Sequence, residues 1–237
     1  MSNTPKQNAL NERKLMLVAP PHELAEIKYE KPVVPTLEVK VVNNQPRLIV
    51  RTGVANDANY GKIEAHFDSY TFAALLTALD NVIKDLVANY TVECKAHKWT
   101  QQGRSKEPLV TSRVTVGRDR DGFIFIQVTD WDKARPRIKF RYEPSMYHPW
   151  LGSDGQPLAS NVISNLYADA WRNLMSMLVP NILTTEFISW QEQKEQKEAK
   201  NGGGNRNNNN GGRGNGGNGG GYKPQPVASD VDDDIPF

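Results

Sequence analysis

The chain predicts an α+β fold: antiparallel sheets packed with helices, arranged as two sheet-plus-helix halves. Three observations carry this expectation. Two stretches, 36–67 and 90–143, alternate apolar and polar side chains with the two-residue period of half-buried strands. Each is followed by a segment whose apolar residues recur at i, i+3, i+4 and i+7, the stripe of an amphipathic helix. Residues 201–221 contain only Gly, Asn and Arg, which bury no core, so the folded part should end before them.

Residues 1–35 read as an N-terminal arm. It is polar, then punctuated by Pro20, Pro21, Pro32 and Pro35, with Leu15-Met16-Leu17-Val18 as a short apolar patch that docks on the body. Three strands follow. Leu37, Val39 and Val41 alternate with Glu38 and Lys40, and Asn43-Asn44 supplies turn chemistry. Leu48, Val50, Thr52 and Val54 alternate with Arg47, Ile49 and Arg51; after the loop 56–61, Ile63, Ala65 and Phe67 form the third set. The period then changes. Phe72, Leu75, Leu76, Leu79, Val82, Ile83, Leu86 and Val87 share one helical face over 69–88, with Asp68 or Ser69 as N-cap.

The second strand group runs through 90–99, 108–118, 123–129 and 136–143, with the tight turn Asp119-Arg120-Asp121-Gly122 between the second and third. Its even positions, among them Val92, Cys94, Val114, Val116, Ile124, Ile126, Val128, Ile138 and Phe140, form an aliphatic face fit for a core. A Pro/Gly loop over 144–158 carries Tyr147, His148 and Trp150. Helical spacing returns from Ser160 through Ile163, Leu166, Tyr167, Ala170, Trp171, Leu174, Met177 and Leu178, and Pro180 should kink or restart that helix. Residues 191–200 are a charged, helix-favouring extension, either solvated or paired with another subunit.

Length and composition bound the rest. The 237 residues suffice for one ordinary domain plus tails. The single cysteine, Cys94, excludes an intrachain disulfide and suits a reducing cytoplasm. The four histidines are scattered without zinc-ligand spacing, no apolar run approaches a membrane span, and the polar N-terminus carries no secretion signal. No phosphate-binding Walker loop, G-x-S-x-G or H-E-x-x-H sequence occurs, so no catalytic residue, cofactor or metal is expected. The one carboxylate pair to weigh for a nuclease metal is Asp130 and Asp132, which alternate at a strand end as turn residues do. Formal charge is +2, from 29 basic and 27 acidic side chains; four of the acidic ones sit between Asp230 and Asp234, so the remainder has a clear basic excess. A basic body with an acidic tail suits a polyanionic partner.

The faces opposite the aliphatic ones give that partner a surface. They hold Lys95, His97, Trp99, Arg113, Phe123, Phe125, Arg137, Lys139 and Arg141. The loop 101–106 adds Arg104 and Lys106 beside Trp99, and the segment 131–135 adds Trp131, Lys133 and Arg135. Neighbouring strands would bring these onto one basic, aromatic face. Cations track phosphates, and rings stack on unpaired bases at roughly 1–3 kcal/mol per base. A duplex hides its base faces, so the pairing of residue types favours single strands. The bland alternative is that Phe123 and Phe125 belong to a core and the Arg137-Lys139-Arg141 stripe is a solvated face.

The C-terminus ends Asp230-Val231-Asp232-Asp233-Asp234-Ile235-Pro236-Phe237: an anionic cluster with an apolar hook that no local core can bury. Asp230, Asp232, Asp233, Asp234, Ile235, Pro236 and Phe237 suit a pocket that is basic at its rim and apolar at its base. The ending closely resembles the acidic C-terminal tip of bacterial single-stranded DNA-binding proteins and of phage proteins that copy it. The likeness covers about eight residues and the character of the linker before them.

The resemblance implies a non-enzymatic protein that coats unpaired DNA and recruits replication, recombination or repair partners through its tip. It further implies homo-oligomers in the cytoplasm, or in the host cytoplasm for a phage-encoded chain. The domains are then the arm 1–35, a DNA-binding domain 36–200, a disordered linker 201–229 and the tip 230–237. A flexible chain of about 21 residues spans about 25 Å root-mean-square, enough for the tip to reach its own body or another protein. Alternatives are a phage single-stranded DNA-binding cofactor of an RNA polymerase and an RNA chaperone. The sheet-plus-helix halves are similar to those of the whirly and PUR nucleic-acid-binding families. The alternative is the five-stranded OB barrel typical of single-stranded DNA-binding proteins, with extra helices.

Overall fold

A computed structural model describes residues 9–195 apart from 12, 101–102 and 193, and only the backbone at 11, 14, 99 and 100. The expected disordered linker, the tip and the end of the charged extension lie outside the described residues. In chain order the strands are β1 (Leu17–Val18), β2 (Ile27–Lys28), β3 (Lys31–Pro32), β4 (Thr36–Val42), β5 (Gln45–Arg51) and β6 (Lys62–His66). Helix α1 (Ser69–Ile83) follows, then β7 (Asn89–Ala96), β8 (Trp99–Thr100), β9 (Gly103–Arg104), β10 (Leu109–Arg118), β11 (Ile124–Asp130) and β12 (Ile138–Arg141), and finally α2 (Ser160–Thr185).

These strands form two antiparallel four-stranded sheets, ordered β1-β4-β5-β6 and β12-β11-β10-β7, with β2-β3 and β8-β9 as two-stranded ribbons. Both sheets are open, so the OB-barrel alternative is not what forms; the architecture is α+β with antiparallel sheets packed with helices. The first half has four strands rather than three, because Leu17 and Val18 of the arm pair with Leu37 and Thr36. The arm also contributes Leu10 and Ala19 to the core.

The strand alternation sorts side chains as the sequence requires. Leu37, Val39, Leu48, Val50, Ile63 and Ala65 of the first sheet face Val114, Val116, Ile124, Ile126, Val128 and Phe140 of the second, in one core shared with both helices. Asn43 and Asn44 both take positive φ (51° and 61°), the two-residue turn whose twist matches a hairpin. Asn44 also reaches across the chain. Its Nδ2 donates to the Ile188 carbonyl at 2.7 Å, and the Ile188 N–H donates back to Oδ1 at 2.9 Å.

Helix α1 begins as expected: the Asp68 carboxylate accepts from the Thr71 N–H and hydroxyl, both at 2.7 Å. It ends earlier than its apolar spacing suggests. Asp85 takes φ 61°, and the N–H groups of Asp85 and Leu86 return to the carbonyls of Val82 (3.1 Å) and Asn81 (2.9 Å), a Schellman closure. Leu86 and Val87 therefore leave the helical face and stand exposed. Arg118 covers the same end: its guanidinium donates to the Val82 and Ile83 carbonyls at 3.2 and 3.3 Å and to Asn165 of α2 at 3.1 Å.

Helix α2 runs through Pro180 without stopping. Proline removes one N–H and leaves the Ser176 carbonyl without its helical partner. Both residues are exposed, so that carbonyl is open to solvent rather than buried without a partner.

Candidate nucleic-acid interface

The second sheet turns one face to the core and one outward, and the outward face gathers much of the expected set. Its rows follow from register. Gly117 pairs with Asn89 and Phe125, and Phe125 with Arg141; Thr115 pairs with Thr91 and Gln127, and Gln127 with Lys139; Arg113 pairs with Glu93 and Thr129. Lys95 continues the same side of β7, and Arg137 precedes β12 in phase with Lys139 and Arg141. Five cations thus share a surface with Phe125, Gly117, Asn89, threonines, a glutamine and one glutamate.

Not all five are equally available. Arg113 and Lys95 share Glu93, at 2.9 and 3.7 Å. Arg141 bonds Asp119 and Asp121, each at 2.7 Å; partial burial works against its charge, but the two carboxylates win and raise its pKa. Lys139 and Arg137 are exposed with no carboxylate partner among the described residues, and they line an open cleft with residues 19–23 of the arm. Arg104, Lys106 and Lys133 are exposed likewise.

The aromatic half of the expectation needs correcting. Phe125 points outward by alternation yet is only 8 % exposed. Its ring packs close against Gly117, where a β-carbon would leave only 3.0 Å to it, and the Lys139 ammonium caps it at 4.3 Å from the centroid. Phe123 is half-buried with the Arg141 guanidinium 5.1 Å from its ring. Neither ring offers a bare face, so a base reaches them only by displacing a cation. Trp131 is the exposed ring of the set, at 57 %, with Lys98 over it at 4.2 Å. Lys98 was not among the expected residues, since nothing in the alternation pairs it with an aromatic 33 positions away. Only the backbone of Trp99 is described, opposite Arg104 in the β8–β9 ribbon. His97 is half-buried, with its Nδ1 2.8 Å from the Ser105 carbonyl, a contact that steadies that ribbon.

Arg135 is the second correction. Its residue is 7 % exposed and its guanidinium is fully engaged. It donates to both Asp57 oxygens at 3.0 Å, to Asp130 Oδ2 at 2.7 Å, and to the carbonyls of Ala58 and Lys62 at 2.8 and 3.1 Å. Burial pushes the Asp57 carboxyl up, but the bonds from Arg135 and Thr52 outweigh it and hold it below its usual range. Arg135 is therefore a clasp between the loop 57–62 of the first sheet and the loop 130–136 of the second, not a phosphate contact. The clasp also occupies Asp130. Asp132 is exposed, and its carboxylate accepts from the Ala134 N–H at 2.9 Å, the turn duty that a strand-end carboxylate usually performs.

Comparison with known proteins adds no relative: no family model matches the chain, and neither a curated protein nor a solved structure is significantly similar to it.

Proposed function

We propose that the chain is a non-enzymatic single-stranded DNA-binding protein whose body holds the strand and whose acidic tip recruits other proteins. The observation that carries the reading is the outward face of the β12-β11-β10-β7 sheet. It collects Lys95, Arg113, Arg137, Lys139 and Arg141, and the exposed Trp131 stands on the loop that leaves β11. Binding there is more electrostatic than the sequence suggests, because Phe125 is buried and Phe123 half-buried beneath their cations, whereas Trp131 stays 57 % exposed beside Lys98. Phosphates would track the cations, and stacking would fall to Trp131 and to other exposed rings. The Asp-Asp-Asp-Ile-Pro-Phe ending supports the recruiting role.

The chain order strand-strand-strand-strand-helix, twice over when the short ribbons are set aside, supports an architectural likeness to the whirly and PUR families. Self-association finds support in α2, whose outward side exposes Val162, Leu166, Leu174 and Met177. No helix among the described residues is long and apolar enough to cross a membrane.

The test is a gel shift of the full chain with single- and double-stranded oligonucleotides of one sequence at two salt concentrations. Single strands should bind more tightly at both, and binding should weaken steeply with salt. Equal or tighter binding to the duplex would overturn the reading.

A further inference from the structure

Tyr60 stands wholly in solvent, at 103 % relative exposure, in a backbone conformation that L-residues adopt at a cost. Asn59 and Tyr60 are consecutive left-handed residues, with φ 52° and 55°. Several bonds hold the turn in this shape. Thr52 Oγ1 donates to Asp57 at 2.8 Å, the Thr52 N–H donates to the Gly61 carbonyl at 2.7 Å, and Arg135 grips Ala58 and Lys62 from either side. The fold gains no burial from the ring that all this displays.

The same guanidinium fixes a second ring. Arg135 bonds Asp130, the residue before Trp131, while it bonds Ala58, two residues before Tyr60. Two aromatic-bearing loops, one from each sheet, are thus locked to a single buried cation. Lysines lie close by: Lys98 lies over Trp131 and Lys133 is exposed on the same loop, where the exposed Asp132 partly offsets them, while Asp57 and Asp130 are neutralised by Arg135.

Resting on the reading of the chain as a single-strand binder, we infer that Tyr60 is a base-stacking residue. With Trp131, at the margin of the sheet face, it extends the contact region for unpaired nucleotides of the same strand beyond that face. Base faces are the ligand chemistry that suits two exposed rings set among lysines. Arg135 is the positioning residue of this region and touches no nucleotide.

Anisotropy of a labelled oligothymidylate, titrated with the full chain, tests this on the wild type, Tyr60→Ala and Tyr60→Phe. Tyr60→Ala should weaken binding about ten-fold, Tyr60→Phe should bind like wild type, and the dependence on salt should be unchanged in both, because a ring and not a charge is removed. Tyr60→Asn, whose side chain favours the same backbone, should show the same loss and guards against a collapsed turn. If the wild type binds and the Ala and Asn variants match it, the inference fails alone. If the wild type binds no single strand, the functional reading fails and takes the inference with it.

Discussion

Gly117 shows how one missing side chain sets the character of the candidate interface. A β-carbon there would lie 2.9 Å from the Asn89 β-carbon and 3.0 Å from the Phe125 ring. The ring could rotate away, but the Asn89 β-carbon is fixed to β7 and moves only with the strand. Exchanging glycine for alanine within a strand ordinarily favours folding by a fraction of a kcal/mol. Here the crowding reverses the sign. Gly117→Ala should destabilise the protein by about 1–3 kcal/mol, read as a lower urea midpoint at unchanged slope. Alternation alone assigns Phe125 to the outer face and says nothing of whether it stays exposed there. That depends on a residue in the neighbouring strand, and pairing partners are not written in local sequence. Arg135 was hidden for a related reason: its carboxylate partner Asp57 is 78 positions away, so the residue looked like one more cation on a basic loop.

Among the elements, α1 is the one whose beginning was legible and whose end was not. An aspartate before a helical stripe is a local signal, and Asp68 fills that role. The stop is made by Asp85 in a left-handed turn and by Arg118 arriving from β10, neither of which interrupts the apolar spacing that continues through Leu86 and Val87. Arg118 joins three elements, since it also bonds Asn165 of α2 and the Gly122 carbonyl in the β10–β11 turn, each at 3.1 Å. Arg118→Met keeps much of the side chain's volume and removes every one of those bonds. It should cost about 2–4 kcal/mol, measured by thermal or urea unfolding, with Arg118→Lys intermediate. The strands were the most readable elements, because a buried face and a wet face force a two-residue period on any sequence that fills them. Pro180 does not restart the helix: α2 continues past it, because its buried face, including Met175, Val179 and Ile182, holds both sides of the proline to the core.

For the whole molecule, the decisive property is the opposition between a basic body and an acidic ending. With no nucleic acid present, the aspartates of the tip should compete for Lys139, Arg137 and the cations around them, and a bound strand should displace them. Deleting residues 230–237 should therefore raise affinity for single strands at low salt and abolish partner capture, with the gain in affinity fading as salt screens both interactions. Unchanged affinity across a salt titration would sink the competition. The α+β class and the pairing of sheets with helices were readable because they rest on periodicity. Which faces meet, and which loops are clasped together, were not, because those are set by contacts between distant positions.

The reciprocal bonds between Asn44 and Ile188 give that opposition a fixed geometry. They moor the segment after α2 to the β4–β5 turn, so whatever follows residue 188 sets out from a corner of the first sheet rather than from the loose end of a helix. Reach is then measured from a known origin. On the proposed function, the distance between a strand on the second sheet and a protein caught by the last residues would depend on that anchorage and on the number of residues between 188 and 230. Removing residues between 201 and 229 should then change which of the two the ending reaches, with the sheet face and the last eight residues left as they are.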